Sequence, residues 1–154
     1  MANQDILASL NPVACAAAQR LIAKGAILTS GRRTIDAQAS ADAADVVLDR
    51  QFIAKVYKKP LCNVAVALQA CADQFPAADQ AELTARFLGV MAAFDDTELE
   101  KLSQHLGGNA FDIHPDPALI PACEDEVTQC VKSGGTALFL QKEGDLVRFH
   151  IQIK

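Results

Sequence analysis

The sequence has few aromatic residues: no tryptophan, one tyrosine and seven phenylalanines, together 5% of its 154 residues. Aromatic side chains form the stacking surfaces that bind single-stranded nucleic acid and the anchors of many protein interfaces. With so few of them, such a platform is not expected. Because 51% of the residues are nonetheless hydrophobic, the chain should fold around an aliphatic, alanine-rich core rather than remain disordered.

An excess of positive charge is also missing. Fourteen lysines and arginines against nineteen acidic residues give a net charge of 14 − 19 = −5, which disfavours a partner held mainly through phosphate groups. No apolar run approaches the roughly 18 residues of a membrane span, and residues 1–5 lack the basic start of a secretory signal. We therefore expect no nucleic acid partner, no membrane partner and a cytoplasmic location as synthesised.

The cysteines are odd in number, and no two of them show the C-x-x-C spacing of thiolate metal sites. Neither a full disulfide framework nor a thiolate zinc site is therefore indicated. Most of them lie among apolar neighbours, so we interpret them as small buried hydrophobic residues. The five are Cys15, Cys62, Cys71, Cys123 and Cys130.

The length is that of one ordinary domain, so a single domain over residues 1–154 is expected. Periodicity, Gly and Pro positions predict helices early and a β-hairpin late, which gives an α+β fold with several N-terminal helices on a small, mostly antiparallel sheet. The predicted helices cover about residues 12–24, 34–57, 62–74, 79–94, 95–104 and 117–132. The predicted strands cover about residues 26–30, 109–113, 136–142 and 146–153.

Two local patterns support these boundaries. Asn11 and Pro12 form a typical helix start, and Gly25 ends that helix. The long helix predicted over residues 34–57 has an apolar face and a polar face of Asp and Arg. The residues of that apolar face are Ala37, Ala41, Ala44, Val47 and Leu48.

Only three histidines occur in the chain, and two of them stand where a metal site could form. His105 lies close to Asp112, and His150 lies on the last predicted strand. Two imidazoles and a carboxylate suit Zn²⁺, and three protein ligands leave a fourth position for water. The alternative is a helix-capping histidine, a solvated aspartate and a surface histidine. His114, before a proline, is interpreted as a loop residue.

Residues 103–112 read Ser-x-His-x-x-Gly-x-Ala-x-Asp, and the glycine pair at 107–108 permits a tight turn before the strand. This segment resembles the zinc signature of the D-alanyl-D-alanine carboxypeptidase and dipeptidase family, which includes phage L-alanyl-D-glutamate endolysins. The resemblance implies a hedgehog/D,D-peptidase-like fold and Zn²⁺ bound by His105 and Asp112. Ser103 would then be a structural or substrate-binding residue beside the site.

A second segment, residues 29–38, is similar to the S-G-Y-R-S-x-x-x-Q segment of the same family. The resemblance implies that Arg33 holds a substrate carboxylate and that Thr34 and Gln38 lie near the substrate. Arg32 stands where the family usually has tyrosine. A guanidinium is a rigid two-pronged donor, which suits a carboxylate. Taken alone, an arginine at such a turn is more commonly solvated or in a salt bridge.

The resemblance also implies a third zinc ligand, a histidine on a late strand, and His150 is the candidate. In the family the general base usually lies three residues before that histidine, but here the position is Val147. Another arrangement has a histidine two residues before it, and here that position is Arg148. The general base is therefore the main departure from the family pattern.

Two carboxylates of the hairpin turn are the nearest substitutes. Asp145 is the first candidate for the general base and Glu143 the second. Along a regular strand Asp145 and His150 point to opposite faces, so this role would need a bulge or turn at Gly144. Both carboxylates are equally well explained as solvated turn residues.

The function implied by the resemblance is a zinc metallopeptidase acting on the stem peptide of bacterial peptidoglycan or on a D-amino-acid dipeptide. A phage lysis role is compatible with the sequence, and another export or lysis route would then bring the protein to the cell wall. One alternative is an inactive zinc-binding relative that serves as a peptide-binding or phage-associated structural module. Another is a structural domain that shares only the fold. The sequence leaves open which bond is cut and the oligomeric state.

Overall fold

A computed structural model describes residues 3–57, 59–143 and 145–154 of the chain. Eight α-helices and one four-stranded antiparallel sheet are found in these ranges, so the predicted α+β class is confirmed. The helices are α1 (Asn3–Ser9), α2 (Pro12–Ala23), α3 (Ile35–Leu48), α4 (Phe52–Val56), α5 (Asn63–Gln74), α6 (Gln80–Met91), α7 (Asp96–Leu102) and α8 (Ile120–Lys132). The strands are β1 (Leu28–Ser30), β2 (Ala110–Ile113), β3 (Ala137–Glu143) and β4 (Leu146–Ile153).

Within the described ranges, no helix combines the length and the apolar character needed to cross a membrane.

The chain divides into two compact units, each with its own buried residues. The sheet unit comprises the residues up to Arg32 together with Gly107–Lys154, and it contains α1, α2, α8 and all four strands. The helical unit is Arg33–Leu106, and it contains α3 to α7.

In the sheet unit the strand order is β1-β2-β4-β3, and every neighbouring pair is antiparallel. Side chains alternate between the two faces of a strand. One face of the sheet packs with α1, α2 and α8 in an aliphatic core with few aromatic rings, as the composition predicts. The core residues that β2 and β4 supply are Phe111, Ile113, Phe149, Ile151 and Ile153.

The pairing of β3 with β4 is regular except at one point. Leu140 opposes His150 and Lys142 opposes Val147. Between these two pairs the chain advances by two residues on β3 but by three on β4. β4 therefore carries one additional residue, which is the pattern of a β-bulge. Strict alternation of faces along β4 is interrupted between Val147 and His150.

The start of α2 confirms the predicted helix signal. Asn11 is the N-cap, its side-chain oxygen accepts a hydrogen bond from the Ala14 backbone N–H at 2.8 Å, and Pro12 occupies the first helical position. After the helix, Gly25 adopts a positive φ of 100°, the left-handed conformation that glycine adopts at helix ends. Local chemistry therefore fixes both ends of α2.

The loop before β2 is tied to the same N-cap. The Asn11 backbone N–H donates to the Gly108 carbonyl at 3.0 Å, and the Asn11 side chain bonds to that of Asn109. Gly108 has a φ of 72°, and a Cβ there would lie 3.1 Å from the Ser9 carbonyl oxygen. The predicted tight turn at the glycine pair therefore needs glycine at position 108.

In the helical unit, side chains cap the starts of α3, α6 and α7. Thr34, Asp79 and Asp95 each accept a hydrogen bond from the backbone N–H three residues later. α3 packs against α6, and α5 packs against α4, α6 and α7. The largest fully buried apolar side chains here are Ile53, Leu68, Leu83, Phe87 and Met91.

The long helix predicted over residues 34–57 is wrong in two respects. It is two helices, because Asp49 leaves the helical conformation and its carboxylate accepts a hydrogen bond from the Gln51 backbone N–H at 3.0 Å, a local turn that competes with the helix. The predicted apolar face is also not the buried one: Val47 and Leu48 are exposed. The buried residues of α3 are Gln38, Ala39, Asp42, Ala43, Asp45 and Val46.

Replacing Gly108 by alanine should lower the free energy of unfolding by about 1–3 kcal/mol, because alanine is strained at positive φ and its Cβ would crowd the Ser9 carbonyl. Gly89 is the matched control: it lies inside α6 with nothing within 4 Å of an added Cβ. Gly89→Ala should raise stability by about 0.5–1 kcal/mol. Urea unfolding of both variants measures the two values, and a Gly108→Ala protein as stable as wild type would contradict the prediction.

Candidate metal centre

Asp112 and His150 are directly opposed in the sheet. They are a register pair of β2 and β4, and His150 Nδ1 lies 2.8 Å from Asp112 Oδ1. The side chains are 12% and 5% exposed, respectively. Both stand on the sheet face opposite the aliphatic core, because they alternate with the core residues of their strands. The sheet register therefore brings a carboxylate and an imidazole together in a nearly buried place.

Neighbouring side chains orient both groups. Ser30 opposes Asp112 in the β1–β2 pair, and its hydroxyl donates to Asp112 Oδ2 at 2.5 Å. Gln152, two residues beyond His150 on the same strand face, places its Nε2 3.0 Å from His150 Nε2. Each oxygen of the carboxylate and each nitrogen of the ring thus has a partner. Such contacts fix ligand orientation in metal sites.

His105 follows the end of α7 and is buried. The Ser103 hydroxyl accepts a hydrogen bond from the His105 backbone N–H at 3.3 Å, and the His105 carbonyl accepts one from the Arg33 backbone N–H at 3.1 Å. The Ser103 hydroxyl thus holds the backbone of His105.

His105, Asp112 and His150 each offer one ligand atom, and these three atoms lie within 4.8 Å of one another. Two imidazole nitrogens and a carboxylate oxygen are a donor set that divalent metal ions bind. Ligands about 2.1 Å from a tetrahedral metal stand about 3.4 Å apart, which is within the 4.8 Å span of this group. The residues present fit a metal ion, and the three predicted ligands form one group.

Glu143, the second of the two predicted general bases, lies beside His150 of this group. Its Oε1 lies 3.5 Å from His150 Nδ1, and its Oε2 lies 3.5 Å from an Arg148 guanidinium nitrogen. Its side chain is 19% exposed. Asp145 is exposed in the hairpin turn, and the bulge predicted for it involves Gly144, which is outside the described residues. Val147 is 60% exposed.

The predicted substrate-binding residues lie at the start of α3. Thr34 is the N-cap, and its hydroxyl accepts a hydrogen bond from the Ala37 backbone N–H at 3.2 Å. Arg33 Nη1 donates to Gln38 Oε1 at 3.4 Å. Gln38 is almost fully buried. Within the helical unit, Arg33 and Gln38 are thus direct neighbours, and Thr34 serves the helix start.

A buried carboxylate beside Gln38 was not expected from the sequence. Asp42 is 2% exposed, and its oxygens accept hydrogen bonds from Gln38 Nε2 at 3.1 Å and from the Tyr57 hydroxyl. Burial raises the pKa of Asp42 to about 6, although the hydrogen bonds from Tyr57 and Gln38 and the charge of Arg33 oppose the rise. The charge of Asp45, one helical turn further on, also raises the pKa of Asp42.

The remaining candidates take structural or exposed positions. His114 is exposed after β2, in agreement with its interpretation as a loop residue. All five cysteines are free thiols: Cys123 is buried and the other four are half-buried. Burial raises the pKa of Cys123 to about 11, so this thiol stays protonated and acts as a small hydrophobic residue.

Comparison of the chain with protein-family models, with curated proteins and with solved structures returned no match in any of the three. The resemblance to the zinc peptidase family therefore depends on the motif residues alone.

The raised pKa of Asp42 predicts a pH-dependent stability. A carboxyl group whose pKa is higher in the folded protein stabilises the fold below its unfolded pKa, and this contribution is lost as the pH rises through the folded value. Between about pH 4 and pH 7, wild type should therefore lose about 2 kcal/mol of unfolding free energy relative to Asp42→Asn. Urea unfolding at several pH values measures the difference.

Asp49 is the control with the opposite sign. Hydrogen bonds from Lys55 and from the Gln51 backbone hold its pKa below the ordinary value. The stability of wild type relative to Asp49→Asn should therefore rise with pH in the acidic range. A wild type whose stability relative to Asp42→Asn does not fall as the pH rises would contradict the assignment for Asp42.

Proposed function

We propose that this protein is a zinc metallopeptidase that hydrolyses a peptide bond in the stem peptide of bacterial peptidoglycan, as a carboxypeptidase or an L-alanyl-D-glutamate endolysin does. The observation that carries the proposal is the grouping of His105, Asp112 and His150. These are the residues that the zinc-signature resemblance and the late strand single out. A buried two-histidine, one-aspartate group with a carboxylate beside it suits metal-assisted hydrolysis.

In this mechanism His105, Asp112 and His150 hold the metal. When bound, Zn²⁺ would polarise the scissile carbonyl and lower the pKa of the attacking water. Glu143 accepts the proton of that water as general base and delivers it to the leaving amine. Its carboxylate is suited to this task by its place next to His150, and Arg148 holds its second oxygen.

The choice of Glu143 over Asp145 follows from the hairpin. The turn returns the chain so that the last residue of β3 lies beside β4, and Glu143 pairs with Leu146. A base supplied by β3 can therefore replace the one that the family usually carries on the last strand, where this chain has Val147. Asp145 lies in the exposed turn.

Arg33 is proposed to bind a carboxylate of the substrate. Stem peptides carry carboxylates at their D-glutamate residue and at their C-terminus, and a D-amino-acid dipeptide carries one as well. A guanidinium binds a carboxylate through two parallel hydrogen bonds. Within the helical unit, Arg33 Nη1 donates to Gln38 Oε1 at 3.4 Å, so the guanidinium lies beside another of the predicted substrate-binding residues. Since the net charge is negative, nucleic acid is not proposed as a partner.

A second candidate function is a zinc-binding relative without catalysis, which would serve as a peptide-binding or phage-associated module. The observation that favours it is Val147, an exposed aliphatic residue at the usual position of the base. In that case Glu143 orients His150 and performs no proton transfer. Turnover of a stem peptide by the zinc-loaded protein separates the two functions.

The metal ligands predict zinc binding. Purified protein should retain about one Zn²⁺ per chain, and His105→Ala, Asp112→Ala or His150→Ala should each lose it at a chelator concentration that wild type tolerates. His114→Ala is the control, because His114 is exposed, and it should retain zinc like wild type. Metal analysis after dialysis measures the content, and circular dichroism confirms that each variant is folded. Equal retention by wild type and His150→Ala would overturn the ligand assignment.

The role of Glu143 predicts a separation of binding from catalysis. Glu143→Gln should keep zinc and lose about two to four decades of turnover, the usual effect of removing a general base. Asp145→Asn is the matched control in the same hairpin and should retain activity. Mass spectrometry of the products of the stem pentapeptide measures turnover and identifies the bond that is cut.

Two results would change this assignment. If Asp145→Asn loses turnover while Glu143→Gln keeps it, Asp145 is the base. If zinc-loaded wild type cuts neither the pentapeptide nor D-alanyl-D-alanine, the non-catalytic function replaces the peptidase.

A further inference from the structure

A buried polar chain connects Asp42 with Arg33 inside the helical unit. Gln38 Nε2 donates to both carboxylate oxygens of Asp42 at 3.1 Å, and the Tyr57 hydroxyl donates to one of them. The opposite end of the same amide, Gln38 Oε1, accepts from Arg33 Nη1 at 3.4 Å. The Asp42 carboxylate, the Gln38 amide and the Arg33 guanidinium thus form three successive members of one network.

The network has a fixed direction. An ionised carboxylate only accepts hydrogen bonds, whereas an amide has a donor end and an acceptor end. Asp42 therefore makes Gln38 turn its NH₂ group inward and its oxygen toward Arg33. With the amide reversed, the NH₂ group would face the donors of Arg33. Asp42 therefore determines that the atom facing Arg33 is the Gln38 oxygen, an acceptor. Within this network Asp42 acts on Arg33 through Gln38.

We propose that Asp42 is a positioning residue for substrate binding, which holds the Arg33 guanidinium through the Gln38 amide in the orientation that receives a substrate carboxylate. The proposal rests on the proposed function, since it assigns Arg33 to the substrate. It adds a residue that neither sequence motif contains, because residues 29–38 end at Gln38.

A contribution to stability does not explain why a carboxylate is buried at position 42. Asp42 is buried, and the hydrogen-bond donors on it that the structure identifies are neutral groups, Gln38 and Tyr57. Arg33 attracts its charge, while Asp45 on the same helix repels it. Burying a charge in such surroundings is costly. A charge that orients a binding group has a function that an apolar residue at position 42 could not supply.

Asp42→Asn tests the proposal, because it keeps the shape and supplies an NH₂ group that competes with the one of Gln38. Binding of the stem pentapeptide is measured by calorimetry on zinc-loaded protein that carries Glu143→Gln in every sample, so that the peptide is not cut. Asp42→Asn should weaken binding roughly tenfold, while Arg33→Ala, which loses the charge-assisted hydrogen bonds outright, should weaken it by up to roughly a hundredfold. Zinc content should be unchanged in both.

A second measurement follows the geometry without any peptide. NMR spectra should show shifted side-chain signals of Gln38 and Arg33 in Asp42→Asn. Glu126→Gln is the control: Glu126 is equally buried, but it lies in the sheet unit and pairs with Arg20 at 2.8 Å. Glu126→Gln should lower the stability of the protein, while the Gln38 and Arg33 signals and the affinity for the peptide stay unchanged.

The outcomes separate the two proposals. If wild-type protein, with Glu143 intact, and the Glu143→Gln background both fail to bind the peptide, the proposed function fails, and the substrate role of Arg33 fails with it. If the background binds the peptide and Asp42→Asn binds it equally well, the positioning role is overturned while the proposed function stands. Unchanged Gln38 and Arg33 signals in Asp42→Asn would also overturn it. An equal loss of affinity in Glu126→Gln would show a general effect of stability.

Discussion

The hydrogen-bonded pair of Asp112 and His150 is the constraint on which the site depends, and the aliphatic core enforces it from the other side of the sheet. Phe111, Phe149 and Ile151 lock β2 and β4 in register because they must face the core. A shift of either strand by one residue would reverse its faces, which would expose the core side chains and bury the polar ones in apolar surroundings. The packing that stabilises the sheet therefore also aligns the candidate ligands, and no flexible loop has to bring these two together.

Those parts of the fold that depend on local chemistry could be predicted from the sequence, whereas those that depend on packing could not. The ends of α2 follow from Asn11, Pro12 and Gly25. The break after α3 was missed because a single turn at Asp49 interrupts an otherwise helical pattern. α1 was not predicted, since seven residues without a strong start signal are helical mainly through the packing of Ile6 in the core.

The candidate site divides in the same way. The grouping of His105, Asp112 and His150 was predictable, because the first two belong to one short motif and the third is the one histidine on a late strand. The closeness of Glu143 to His150 was not predictable. It depends on where β4 carries its additional residue, and that position is set by pairing rather than by composition. Asp42 was missed because an aspartate on an alanine-rich helix is normally assigned to the solvated face. It is instead buried and hydrogen-bonded to Gln38 and Tyr57, which helical periodicity alone did not identify.

Tyr57 makes the network around Asp42 observable by fluorescence. It is the one tyrosine of a chain without tryptophan, and its hydroxyl is bonded to the Asp42 carboxylate. The near-ultraviolet emission of the whole protein therefore arises almost entirely from a single ring, and that ring senses whether its carboxylate neighbour is charged. Unfolding followed by this emission describes the helical unit that contains Tyr57. The sheet unit contains phenylalanine but neither tyrosine nor tryptophan, so its unfolding does not contribute directly to this emission.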